Sequence, residues 1–173
     1  MAPGAGKVPP HPLVIDISSK AETAREAIAR AKLVITSAAP LSSWWPTADA
    51  AAEAALTTTA SVAGVGAAKR TAGLIPMCHA LALDFCSVSV SRPGLDGKGW
   101  SVAVEARART LARTGVEMEA LLGASIGALT LYDMLKGSVT HGALALEQVQ
   151  LLRKSGGSKP HSAAASAGGG GGQ

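Results

Sequence analysis

The residues able to do chemistry crowd into one stretch, Arg113 to Lys136, which reads Arg-Thr-Gly-Val-Glu-Met-Glu-Ala-Leu-Leu-Gly-Ala-Ser-Ile-Gly-Ala-Leu-Thr-Leu-Tyr-Asp-Met-Leu-Lys. Its latter part has helical spacing: Leu122, Ile126, Leu129, Asp133 and Lys136 fall on one line at steps of four and three. An ordinary surface helix carries its charges opposite its apolar stripe. Here an acid and an amine prolong the stripe, which predicts them at the rim of whatever the helix packs against. The plain alternative is a solvated (i, i+3) pair that stabilises the helix by a few tenths of a kcal/mol. Glu119 lies one step before Leu122 on the same line and Glu117 precedes it. Both also suit the first turn of a helix, where the dipole favours acids. Gly123, Ala124, Gly127 and Ala128 keep the other faces thin enough for a second backbone to approach.

The rest of the chain must position that helix. Residues 1–12 are rich in Pro and Gly and predict a loose N-terminus. Leu13, Ile15 and Ile17 alternate around Asp16 as a short strand would. Between Ala21 and Ile35 the composition favours helix, while the alternation of Ala27, Ala29, Ala31, Leu33 and Ile35 with Glu26, Ile28, Arg30, Lys32 and Val34 favours strand. The residues alone leave that choice even. Residues 36–55 read as loop, and the adjacent Trp44 and Trp45 are expected to cap an apolar patch or meet a neighbouring subunit. A helix of small residues is predicted over Thr57–Ala72, with Val62, Val65 and Ala68 inward and Lys69 and Arg70 near its C-terminal end. Pro76 fixes a turn within Leu74-Ile-Pro-Met-Cys-His79. A hairpin follows, Leu81–Ser91 returning as Trp100–Thr110 with Val102, Val104, Ala106 and Ala108 on one face. The long helix occupies about Val116–Gly137, and Leu144–Leu152 is a last strand. From Gly157 the chain is Ser/Ala/Gly-rich and predicts a disordered tail, 157–173. The order of elements implies an α+β fold, a ferredoxin-like antiparallel sheet with helices packed on one face, spanning residues 13–156.

With 173 residues, 47% of them hydrophobic but only 3% aromatic, the core must be built from Ala, Val, Leu and Ile. Small side chains bury little area each, so part of the burial is expected at oligomer interfaces. The net charge of +4 and a pI near 9.3 suit an anionic small molecule. Without a basic run or interleaved aromatics, nucleic-acid binding is not supported. Cys78 and Cys86 have no metal-ligand spacing, so no metal, no disulfide framework and no cofactor is expected. They point to a reducing compartment. No apolar run is read as a membrane span and the N-terminus has no apolar signal core.

Five blocks of this sequence resemble the cyclic pyranopterin monophosphate synthase family, the MoaC-type proteins of molybdenum-cofactor biosynthesis. They are Asp16-Ile-Ser-Ser-Lys-Ala-Glu-Thr-Ala-Arg-Glu-Ala27, Ala67-Ala-Lys-Arg-Thr71, Leu74-Ile-Pro-Met-Cys-His79, Thr114 to Lys136, and Leu151-Leu-Arg-Lys-Ser-Gly-Gly157. The resemblance implies strand for residues 21–35, the ferredoxin-like fold, and a homohexamer, a trimer of dimers, with sites near subunit interfaces. It implies conversion of 3′,8-cyclo-7,8-dihydro-GTP, the product of a radical-SAM partner enzyme, into cyclic pyranopterin monophosphate with loss of pyrophosphate. Position by position it implies proton transfer by Asp133 and Lys136. Met77, Cys78, His79, Glu117, Met118 and Glu119 would line the substrate pocket, and Lys69, Arg25 and Lys154 would meet the triphosphate. Taken singly, Arg25, Lys69 and Lys154 read better as ordinary surface cations, and Cys78 as a small buried hydrophobe. The family's bacterial members imply a cytoplasmic location and its eukaryotic members a mitochondrial one.

One departure stands out. Where the family pattern resembles Lys-Gly-Asp-Val, this chain has Glu53 within Ala-Ala-Glu-Ala-Ala-Leu. An anion replacing a cation beside a triphosphate removes attraction and adds repulsion. The same resemblance therefore carries a second implication, an impaired member that binds nucleotide or assembles with an active partner. A third, a generic anion-binding oligomer, rests on charge alone.

Overall fold

The computed structural model describes residues 13–37, 39–95, 97, 99–157 and 161–162. Strand β1 (Thr23–Ile35) is followed by helix α1 (Ala50–Ala68), the single turn α2 (Thr71–Leu74), β2 (Phe85–Val90), the two-residue β3 (Gly94–Leu95) and β4 (Trp100–Ala112). Helix α3 (Glu117–Leu135), β5 (Leu144–Ser155) and the two-residue β6 (His161–Ser162) complete the chain. The sheet runs β2-β4-β1-β5-β6, with β3 paired to β4. Every pairing is antiparallel. Two split β-α-β units interleave, which is the ferredoxin-like arrangement, and both long helices cover one face.

Strand period decides the choice that composition left open between 21 and 35. Ala27, Ala29, Ala31, Leu33 and Ile35 are fully buried on the helix side of β1. They pair in register with Ala108, Ala106, Val104, Val102 and Trp100 of β4. A helix would scatter those five residues around its axis, whereas alternation gathers them on one face. The opposite face carries ion pairs, Arg30 with Glu105 and Glu26 with both Arg107 and Arg153, as an antiparallel sheet with one uncovered face permits.

The floor of small residues lets α3 lie close. A Cβ built at Gly127 would stand 2.9 Å from Val104 Cγ1, and one at Gly64 of α1 would stand 2.6 Å from the Gly123 carbonyl oxygen. The two helices cross the sheet in opposite directions, Gly64 beside Gly123 and Ala60 beside Gly127. The N-terminus of α1 therefore lies at the C-terminal end of α3.

Several expectations are corrected. Residues 13–17 form no strand; they run as irregular chain, with Leu13, Val14 and Ile15 exposed. Helix α1 starts at Ala50, not Thr57, because Asp49 caps it by accepting hydrogen bonds from the Ala51 and Ala52 N–H groups at 3.0 and 2.9 Å. The chain breaks after Ala68, and Thr71–Leu74 is a separate turn. Val62 is 66% exposed rather than inward. In α3 the buried line is Ala120, Gly123, Ala124, Gly127, Ala128, Leu131 and Leu135, while Leu129 and Asp133 of the expected stripe are exposed. Helix α3 does have the length and composition of a membrane span, contrary to the sequence reading, but that inner line packs on the sheet and on α1, as in a core helix. Trp44 and Trp45 are buried and meet edge-to-face, Trp44 also against Trp100, with ring centroids 6.3 and 6.2 Å apart. Within the stretch expected to be a disordered tail, His161 and Ser162 pair with Lys154 and Arg153. The loose N-terminus at 1–12 and, apart from Gly157, the remainder of that tail lie outside the described residues.

Candidate active site

The first turn of α3 forms one wall of a cavity of about 310 Å³. Glu117, Met118 and Glu119 face Met77, Cys78 and His79 across it. The segment 13–20, instead of adding a strand, is laid along the rim, where Ile15, Ile17 and Lys20 contribute. An irregular segment has no ladder to pair its polar backbone, so side chains can tie it down. One such tie is His79, whose Nε2 lies 2.7 Å from the Ile15 carbonyl oxygen. A carbonyl can only accept, so Nε2 carries the hydrogen, and Nδ1 is left as the free ring nitrogen. The turn before it is closed by the Cys78 N–H donating to the Ile75 carbonyl at 3.0 Å, after Pro76.

The basic wall depends on irregular pairing between β1 and β5. Ile35 pairs with Leu144, but Ala27, eight residues back along β1, pairs with Lys154, ten residues on along β5. The two extra residues bulge out of the ladder, and Gln148 takes a positive φ of 52° between the paired segments. Lys154 thereby comes opposite the inward-facing Ala27 and reaches Glu117, Nζ to Oε1 at 2.8 Å. Beyond it Gly156 and Gly157 take φ of 85° and 69°. A Cβ on Gly156 would stand 2.0 Å from the Ala24 carbonyl oxygen, and one on Gly157 1.9 Å from Arg25 Nη1. Only glycines allow the chain to turn there against Arg25. The Arg25 guanidinium is fixed by donating to the carbonyls of Ala112 and Arg113 at 3.3 and 3.4 Å. Gly115 has a related duty, since a Cβ there would collide with the Glu117 carboxylate.

The two acids are pushed apart. Burial raises the Glu117 carboxyl, but the Lys154 hydrogen bond, its own backbone N–H and the charges of Lys154 and Arg25 together hold it below the ordinary range. Glu119 is 4% exposed. Burial raises it above that range, the Glu117 charge adds to the rise, and only its own backbone N–H opposes. Burial and the nearby Glu119 likewise raise the Cys78 thiol. Two carboxyls of one cavity are thus shifted in opposite directions, the kind of divergence that separates acid from base roles.

Not every expected residue joins this cavity. Arg25 and Lys154 flank it through Glu117. Lys69 is exposed at the C-cap of α1, near Cys86. Asp133 and Lys136 pair with one another at the far end of α3, 71% and 62% exposed. At the rise of an α-helix, Asp133 lies about 21 Å from Glu119 along the axis. Sequence reasoning passed over Lys20, Thr114 and Gly115 of the cavity. Thr114 and Gly115 sat in plain view in the Thr-Gly-Val-Glu run, and Lys20 had no local signal. Glu53 lies in the first turn of α1, gripped by Arg92 and by the indole N–H of Trp45. Among the described residues no three His, Cys, Asp or Glu side chains are grouped to hold a metal ion.

With that geometry in view, comparison with known proteins is specific. The MoaC family model matches residues 14–157. The chain is similar to the cyclic pyranopterin monophosphate synthase of Bordetella avium (strain 197N), 42% identical over 144 residues that cover 83% of this chain and 84% of the relative. The protein of the same name from Chloroflexus aurantiacus (strain ATCC 29366 / DSM 635 / J-10-fl) is 41% identical over 150 residues, 85% of each. That of Thermomicrobium roseum (strain ATCC 27502 / DSM 5159 / P-2) is 42% identical over 144 residues, covering 83% of this chain and 82% of its own.

Proposed function

The chain belongs to the MoaC family, and on that premise we propose that it is itself a cyclic pyranopterin monophosphate synthase, a lyase of molybdenum-cofactor biosynthesis. The observation that carries this reading is the cavity in which Cys78, His79, Glu117 and Glu119 converge beside Lys154 and Arg25. The substrate is the cyclised GTP made by a radical-SAM enzyme. A ribose oxygen attacks the triphosphate, pyrophosphate leaves and the ring system rearranges. Charge develops on the leaving phosphates, so cations must be fixed in advance, and protons must move on the ring and sugar. Arg25, Lys154 and Lys69 serve the phosphates. His79, with its free Nδ1, and the divergent pair Glu117 and Glu119 hold pterin and sugar, with Met77, Cys78 and Met118 as the apolar and sulfur-bearing lining.

Asp133 and Lys136 perform proton transfer, and they reach the cavity from a neighbouring copy. The distance along their own helix excludes the cavity of the same chain, and the exposed Leu129, Met134 and Val62 leave an apolar surface for such a neighbour. The assembly is a hexamer, a trimer of dimers, working in the cytoplasm or, in a eukaryote, the mitochondrial matrix. Residues 13–156 constitute the catalytic domain. Incubating the purified protein with the cyclised GTP and assaying pyranopterin and pyrophosphate tests the assignment. A well-folded oligomer that yields neither product refutes it.

A further inference from the structure

Glu53 sits in the first turn of α1 with its side chain only 13% exposed, while the Arg92 side chain is 78% exposed. Oε1 of Glu53 accepts from Arg92 Nε at 2.8 Å and from the indole Nε1 of the buried Trp45 at 3.1 Å; Oε2 accepts from Arg92 Nη2. The order of support runs outward: a core indole fixes a carboxylate, and the carboxylate fixes a guanidinium by a two-point, side-on grip. A guanidinium has five N–H donors. Two are used on Glu53, so three remain on an exposed, pre-oriented fork at the lip of a hollow of about 250 Å³ floored by Leu41, Trp45 and Pro93. Rigid arginine forks match phosphate oxygens.

The place fits as well as the chemistry. Helices α1 and α3 run in opposite directions, so Glu53 lies toward the end of the molecule that carries Asp133 and Lys136. Trp45 also lines the hollow that contains Leu135 and Ser138. Asp133 and Lys136 neutralise one another there.

We infer that Arg92 binds the polyphosphate of the nucleotide substrate, and that Glu53 is the positioning residue that holds its guanidinium ready. The inference rests on the synthase reading for the identity of the substrate but not for the binding. Titration of the full-length protein with GTP and with inorganic pyrophosphate, at one fixed ionic strength, tests it. Arg92→Ala should weaken both by about tenfold or more, as loss of a charge-assisted contact does. KM for the cyclised substrate should rise with kcat little changed, and the melting temperature should fall only slightly, because Arg92 is exposed and Glu53 keeps the Trp45 indole N–H. Arg92→Lys should recover part of the affinity, and Glu53→Gln should lose less than Arg92→Ala while melting as the parent does. Unchanged GTP and pyrophosphate binding in Arg92→Ala would overturn the inference, as would an equal loss for guanosine without phosphates. A parent protein that makes no pyranopterin yet binds GTP in an Arg92-dependent way sustains this inference and removes the synthase reading. A parent that turns over, with KM unmoved by Arg92→Ala, does the opposite.

Discussion

Gly64 and Gly66 are two residues apart on α1, and alanine at each should move stability in opposite directions. In a helix interior, Gly to Ala stabilises by about 0.5–1 kcal/mol because the unfolded chain has less freedom to lose. At Gly66 nothing lies within 4 Å of the added Cβ, so the full gain is expected. At Gly64 the Cβ would stand 2.6 Å from the Gly123 carbonyl oxygen and 3.0 and 3.1 Å from the Val88 methyls. The nearest obstacle is backbone, so α3 itself must yield. Overpacking of this kind costs about 1–3 kcal/mol. The upper half of that range applies when no side chain can rotate away, which leaves a net loss of about 1–2.5 kcal/mol after the helix gain. For a chain of this length each kcal/mol moves Tm by about 2–4 °C. Urea titrations give the same difference as a shift in midpoint, and an unchanged m-value would show that the surface exposed on unfolding is the same in both variants. Since α3 carries Glu117 at one end and Asp133 at the other, Gly64→Ala should also lower turnover more than Gly66→Ala. If Gly64→Ala is as stable as Gly66→Ala, the close approach of the helices is wrong.

Glu119→Gln should stabilise the fold at pH 7 while lowering turnover. Its carboxyl is raised from 4.5, so the folded state holds the proton more tightly, and ionisation costs stability as pH rises from the unfolded value through the folded one; the benefit of Gln should vanish below about pH 4, and a pH-independent benefit would refute the cause. Gly156→Ala, forced to keep a φ of 85° with its Cβ against the Ala24 carbonyl, should lose about 1–3 kcal/mol and weaken substrate binding through Lys154 and Arg25; a neutral result in thermal melts and binding assays would remove the turn from the site. His79→Ala and Asp133→Asn should each be inactive alone and regain activity as mixed oligomers, because some cavities would then combine an intact His79 with an intact Asp133 from another copy. Mixed assemblies verified by differential tags but still inactive would sink the shared site.

How far the residues spoke for themselves varied with the physics involved. The β4 strand was legible because alternation is a strong signal over 13 residues, whereas the Ala, Glu, Arg and Lys of β1 set helical composition against the same alternation, and only the family likeness tipped the choice to strand. The β2–β4 hairpin and the extent of α3 followed from turn residues and length. The start of α1 was misplaced although Asp49 ahead of an alanine run is a good cap signal; the paired tryptophans and Pro46 drew attention to loop instead. The cluster of Met77, Cys78, His79, Glu117, Met118 and Glu119 is assembled by contacts distant in sequence, and only the family likeness had joined those residues beforehand. The bulged pairing that aims Lys154 at Glu117 left no trace a local reading could use, because Gln148 is not a residue that announces a positive φ.

The misreading of α3 has a physical cause with a bearing on function. Ranking faces by apolar bulk assumes that large side chains go inward. Here the inward face is Ala120, Gly123, Ala124, Gly127 and Ala128, because the sheet beneath offers Ala27, Ala29, Ala31, Ala106 and Ala108 and the α1 backbone crosses within contact at Gly64 and Ala60. Close backbones compensate with packing density for the area that small side chains fail to bury. The bulkier Leu129 and Met134 are thereby released to the surface at the same end as Asp133 and Lys136. If a second subunit packs over that apolar border, it would lower the effective dielectric around the acid and the amine and strengthen every charge they present. A helix that packs inward through glycine and alanine can therefore hold the single-chain core with one face and leave its other face, charges included, open to a partner.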